Sequence, residues 1–154
     1  MDRSAIKDLL DKLQPAVEKA RRAAQQAKEA ENETSKSAAT SWSAAGEREY
    51  THQQAKIASD NLVNLESLLN EVTEAVGQPA PMMVRPVSMV TVMYVDSQKT
   101  DTFYFVSKSL YLIGARLISP ESPIGQAVEH KSVGEEFEYE VESKKVRGIV
   151  KLIE

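Results

Sequence analysis

Apolar residues recur at alternating steps of three and four in the N-terminal part of the chain: Ile6, Leu10, Leu13, Val17, Ala20, Ala24 and Ala27. Steps of three and four return to one face of an α-helix, so this spacing predicts the narrow seam of a coiled coil. A second run with the same spacing follows: Ala55, Ala58, Leu62, Leu65, Leu69, Val72 and Val76. Packed antiparallel, the runs pair Leu10 with Val72, Leu13 with Leu69, Val17 with Leu65, Ala20 with Leu62, Ala24 with Ala58 and Ala27 with Ala55, and every pair of positions sums to 82. A hairpin requires such a constant sum, and its midpoint predicts a turn at about Ser41 and Trp42. The predicted tip, residues 38–46, carries no charge. At about 1.5 Å per residue, an arm from Leu10 to Ala38 would extend roughly 40 Å. The seam changes from Leu and Val to Ala and then reaches Glu31 and Thr34 opposite Thr51. Apolar burial, at about 25 cal/mol per Å², should therefore decline toward the tip. Asp8 with Lys12 and Glu18 with Arg22 are spaced to support the first helix as i, i+4 ion pairs.

Gly77-Gln78-Pro79-Ala80-Pro81 ends the second helix, because Gly and Pro continue a helix poorly. Beyond it the period changes to two. Phe137, Tyr139 and Val141 alternate with Glu136, Glu138, Glu140 and Glu142, which predicts a strand with one buried and one solvated face. Residues 89–95, 102–106, 110–117 and 146–153 read as further strands on their β-branched and aromatic content. An antiparallel sheet is expected, with Ser143-Lys144-Lys145 joining one pair of strands and residues 97–101 another. Ser122-Pro123 predicts an N-cap followed by proline at the first helical position, opening a short helix through about Glu129. Gly134 starts the return to the sheet. The expected fold class is α+β, organised as a helical hairpin over residues 1–76, a linker over 77–86 and a sheet domain over 87–154.

Composition narrows the function classes. The chain has 154 residues, 42% of them hydrophobic, and no cysteine. A disulfide framework, a thiolate nucleophile and Cys-ligated zinc are excluded, and the absence of a signal-peptide core or membrane-spanning run predicts a cytoplasmic protein. With a net charge of -4 and interspersed signs, autonomous DNA binding is not expected. The partner expected is protein. An intramolecular hairpin satisfies its own seams, which favours a monomer.

Single residues offer little catalytic chemistry. The glutamates of residues 136–142 are spread along a strand at about 6.6 Å intervals, suited to a solvated face rather than a metal site. His52 and His130 lack partner histidines and read as surface residues. Ser119 and Ser122 have no His-Asp arrangement near them in sequence and read as capping and turn residues. Met82 and Met83 are expected to pack against the sheet, and Phe103, Tyr104 and Phe105 to lie in its core. No catalytic residue, resident metal or cofactor is predicted.

Residues Ile118-Ser119-Pro120-Glu121-Ser122-Pro123-Ile124-Gly125-Gln126-Ala127-Val128, followed by Lys131 and Val133-Gly134-Glu135, resemble the C-terminal domain of bacterial Gre transcription elongation factors. The resemblance rests on an Ile-Ser pair, two variable residues, Ser-Pro, a short helix, then a lysine and a glycine. It extends across the chain, because Gre factors join an antiparallel coiled-coil hairpin to an FKBP-like α+β domain, and Glu49-Tyr50 resembles the pair that opens their second arm. The family implies an accessory factor of RNA polymerase rather than an enzyme. The globular domain would dock at the rim of the secondary channel, with Ser119, Ser122, Pro123, Ile124 and Gly125 as docking residues. The hairpin would reach toward the active site, near RNA and the polymerase's Mg²⁺.

The tip facing that active site would comprise Ser41, Trp42, Ser43, Gly46 and Glu47. Counting back from Glu49-Tyr50, Ser43 and Gly46 fall where cleavage-stimulating members carry acidic residues. Carboxylates suit that chemistry because Mg²⁺ is a hard cation and a two-metal mechanism stabilises both attacking and leaving oxygens. The expectation is a polymerase-binding factor that does not stimulate transcript cleavage. Its alternatives are a cleavage factor using Glu47, a coiled-coil holdase of unfolded chains, and a prolyl isomerase suggested by the fold alone. Trp42 reads as a channel or base contact, or as a cap over the hairpin end.

Overall fold

The computed structural model describes the backbone of residues 3–37 and 42–154 and the side chains of residues 3–34 and 46–154. The elements are α1 (Ser4–Ser37), α2 (Trp42–Val76), β1 (Ser88–Tyr94), β2 (Thr100–Phe105), β3 (Leu117–Ile118), α3 (Pro123–Val128), β4 (Glu136–Val141) and β5 (Lys144–Ile153). They divide into two compact units, Leu13–Ser67 and Met1–Lys12 with Leu68–Glu154.

In the helical unit the two arms run antiparallel, since Arg21 pairs with Glu66 and Glu31 with His52. His52 is one position from Thr51, the partner expected for Glu31, so the constant-sum register holds to within a residue at that level. Leu13, Val17, Ala20 and Leu65 are buried, whereas Ala24, Ala27, Ala55 and Ala58 are half-buried. Small side chains leave the outer seam thinly covered, as the sequence implied. Pro15 lies inside α1 and supplies no amide hydrogen, yet the helix continues through it. Residues 38–41, where the turn is expected, lie outside the described residues.

In the sheet unit the strand order is β3-β2-β1-β5-β4. β1, β2, β4 and β5 pair antiparallel, as expected. β3 corrects the all-antiparallel expectation, because it adds to β2 in parallel, making a mixed sheet. The strand expected over residues 110–117 shrinks to Leu117–Ile118. Upstream, Leu112 and Ala115 form an isolated bridge around Gly114, whose φ of +83° turns the chain where a strand would stay extended. The connection expected at Ser143-Lys144-Lys145 is instead a two-residue turn at Glu142 and Ser143, both at positive φ, and the lysines belong to β5. Positive φ at both central residues matches the strand twist of a tight hairpin.

Val90, Val92, Phe103, Phe105, Ile118, Ile124, Val128, Phe137 and Val150 form the core of this unit. In the sheet-end turns of α1 and α2, Ala5, Leu9, Leu68 and Ala75 are buried while Leu10, Leu69 and Val76, expected in the seam, are half-buried, so the covered stripe is wider than the narrow seam predicted and is centred one position away from it. Doubled apolar pairs in the sequence, Leu9-Leu10, Leu68-Leu69 and Ala75-Val76, are the signal for that broader stripe. Lys12 does not pair with Asp8 as expected; its Nζ donates to the Gly114 carbonyl at 2.7 Å. Glu18 and Arg22 do approach, at 3.9 Å.

Candidate functional site

The loop from Ser119 into α3 is built around one carbonyl. Ser122 caps α3: its Oγ accepts from the Gly125 amide at 3.0 Å and donates to the Ser119 carbonyl at 2.8 Å. The Ser122 amide donates to the same carbonyl at 3.2 Å. Pro123 occupies the first helical turn, where a missing amide hydrogen costs nothing. A Cβ at residue 125 would lie 1.8 Å from the Ser119 carbonyl oxygen, so only glycine permits this approach. Ser119, Ile124 and Gly125 are buried, Ser122 is half-buried and Pro123 is exposed with Glu121 and Gln126. The buried members of the motif hold the loop, and the exposed ones form its outer surface. Both serine hydroxyl roles expected from the sequence, capping and turn formation, are represented in Ser122.

The described outer part of the helical unit contains Gly46, Glu47, Glu49 and Tyr50, all exposed within α2. Glu47 and Glu49 are two helical positions apart and project about 200° from each other. Glu31 Oε1 is 2.8 Å from His52 Nδ1, while Gln53 Nε2 reaches Glu49 Oε1 at 3.4 Å. His52 is therefore a surface residue with a specific cross-arm partner. Ser41 lies outside the described residues, as do the side chains of Trp42 and Ser43; both of the latter open α2. Among the described residues, no group of three or more Asp, Glu or His is arranged to hold a metal, and no helix is long and apolar enough to cross a membrane.

Met82, Met83 and Tyr104 differ from the expectation drawn from the sequence. Met82 and Met83 do not pack into the sheet: they are 89% and 44% exposed, beside an isolated bridge between Met83 and Ser132. Phe103 and Phe105 are core residues, whereas Tyr104, on the opposite face of β2, is half-buried. Arg116 is engaged by Asp101, which also accepts from the Tyr94 hydroxyl at 3.2 Å. Desolvation raises the Tyr94 pKa well above its ordinary value, with Tyr139 and Asp101 adding to the shift. Tyr104 is raised by desolvation and by the negative charges of Asp8 and Glu154. Arg3 carried no sequence signal, yet it is 5% exposed and donates to the Pro79 and Val87 carbonyls at 3.2 and 2.7 Å. Its pKa is lowered by desolvation and then by Arg85. The carbonyls it satisfies belong to the connection between α2 and β1, where Val87 adopts a φ of +60°.

Residues 79–154 match the family model described as transcription elongation factor, GreA/GreB, C-terminal. A comparison with curated proteins found no match. Among solved structures, the chain is similar to the GreA factor homolog 1 protein of Thermus thermophilus, at 17% identity and a TM-score of 0.39, covering 94% of each chain. The Thermus aquaticus counterpart has 16% identity and a TM-score of 0.42, with 93% of this chain and 92% of that one covered. A prokaryotic GreA/GreB elongation factor from Nitrosomonas europaea has 21% identity and a TM-score of 0.40, covering 58% of this chain and 78% of that one.

Proposed function

We propose that this chain, whose residues 79–154 match the C-terminal model of the GreA/GreB transcription elongation factors, is a member of that family and binds bacterial RNA polymerase at the secondary channel without stimulating transcript cleavage. The loop before α3 and the exposed side of α3 dock at the channel rim through Glu121, Pro123 and Gln126, while Ser119, Ser122, Ile124 and Gly125 hold their shape. The hairpin carries residues 41–47 toward the polymerase active site.

The observation that carries the loss of cleavage is the placement of acids. Counted back without gaps from Glu49-Tyr50, Ser43 and Gly46 fall at the positions of the family's acidic tip residues, and neither has a carboxylate. Glu47 and Glu49 diverge around α2 instead of converging on one ion, and Glu31 is held by His52. A hydroxyl is a weak neutral ligand beside the carboxylates that a hard cation prefers. The factor acts by occupying the channel and competing with other factors that enter it.

The test is RNA cleavage by a backtracked bacterial polymerase, run beside displacement of an acidic-tipped Gre factor. Displacement without faster cleavage is expected, and adding both acids as Ser43→Asp with Gly46→Glu should raise the cleavage rate. Acceleration by the wild-type protein, lost on Glu47→Ala, would overturn the assignment.

A further inference from the structure

The helical unit carries a groove of about 520 Å³ between its arms, and both Arg21 and the Glu31–His52 pair line it. We propose that this groove receives a protein segment bearing carboxylates and aliphatic side chains. Resting on the functional reading above, that segment belongs to the polymerase.

The argument starts from side-chain size. Ala24 and Ala55 are too small to fill the space between the arms, so with Leu62 they leave a half-buried apolar strip. Exposed Lys28 and Lys56 flank this strip. The antiparallel register places them at about the same level on opposite arms, since Glu31 meets His52 and Arg21 meets Glu66. Neither lysine forms an ion pair among the described residues. Glu31 is the lining acid, and its Oε1 is already bonded to His52. The groove is therefore locally positive on a chain whose net charge is -4, so its complement is negative.

The strip separates two kinds of negative partner. Aromatic side chains, on which single-stranded nucleic acid stacks, are absent from the described lining. An aliphatic floor between lysines instead suits an acidic polypeptide that inserts a leucine-like side chain and offers carboxylates on either side. From Arg21 to Glu31 the groove follows α1 for about 15 Å, room for roughly four or five extended residues.

The test uses the full chain with Lys28→Glu and Lys56→Glu combined, and a charge-conserving double variant with arginine at both positions. Far-UV circular dichroism checks that the helices remain. Titrated against core RNA polymerase, the glutamate variant should bind about tenfold more weakly and the arginine variant within about threefold of wild type. Binding of the glutamate variant within twofold of wild type would overturn the proposal. A synthetic peptide of alternating glutamate and leucine reads the groove independently. It should shift the Ala24 and Ala55 methyl resonances in the wild type and not in the glutamate variant; unshifted wild-type methyls overturn the proposal. A shift with the peptide but no polymerase binding by the wild type refutes the functional reading and leaves the groove's chemistry supported. A single-stranded RNA oligonucleotide that binds the wild type and is lost on charge reversal overturns the assignment to protein.

Discussion

Replacing Gly125 by alanine tests the loop at its tightest point. The new Cβ would sit 1.8 Å from the Ser119 carbonyl oxygen, 2.8 Å from its carbon and 2.7 Å from Ser122 Oγ. The first two obstacles are backbone atoms, so no rotamer change relieves them. The start of α3 must move away from Ser119, which breaks the Ser122 cap and its bond to the Ser119 carbonyl. Loss of a cap costs about 1 kcal/mol and overpacking about 1–3 kcal/mol, giving an expected destabilisation of about 2–4 kcal/mol. Native-state hydrogen exchange measures it within the sheet unit. The Val150 amide, which donates to Glu135 at 3.0 Å, reports the core, and the Gln126 amide, which donates to Ser122 at 2.9 Å, reports the cap. Gly148→Ala is the comparison, because its nearest obstacle at 2.4 Å is the Phe137 ring, a core side chain rather than backbone, with the Met93 carbonyl oxygen at 3.1 Å; overpacking of about 1–3 kcal/mol is expected there with the Ser122 cap left intact. Gln126→Ala, on the exposed face, should cost less than about 0.5 kcal/mol. A Gly125→Ala protein within about 0.5 kcal/mol of wild type at both amides would refute the reasoning.

Arg3→Ala should cost about 2–4 kcal/mol in the same exchange measurement, because it leaves the Pro79 and Val87 carbonyls without their guanidinium donor. Pro15→Ala should slow exchange in the neighbouring turn of α1 and raise its stability by up to about 3 kcal/mol, since it restores a helical donor. At high pH the sheet unit should lose stability. Tyr94 is raised above 10.0, so the unfolded chain releases its proton first, and the stabilisation present below pH 10 is lost as pH rises toward the folded value. Tyr94→Phe should flatten that alkaline loss in denaturation curves taken at successive pH values, and an unchanged slope would remove Tyr94 as its cause.

The hairpin was readable because a coiled-coil seam is periodic: two heptad runs with a constant sum define both direction and register without knowledge of anything distant. The N-cap Ser122, Pro123 and the helix they open were equally legible, since capping is a local exchange of hydrogen bonds. The same is true of β4, whose alternation divides buried Phe137 from exposed Glu136 and Glu138. Local preference failed where distant partners intervened. Residues 110–117 have strand-like composition, but the turn at Gly114, whose carbonyl accepts from Lys12, shortened the strand.

By itself the sequence determined the helical arms, their pairing direction, the capped loop and the absence of carboxylates at Ser43 and Gly46. Those properties follow from spacing and residue identity. The tertiary structure alone decided that Ser119, Ile124 and Gly125 are buried supports beneath an exposed Pro123, that β3 joins in parallel, and that Arg3 is buried against the carbonyls of Pro79 and Val87. Each depends on groups brought together from far along the chain, where burial and hydrogen-bond geometry, rather than local preference, set the outcome.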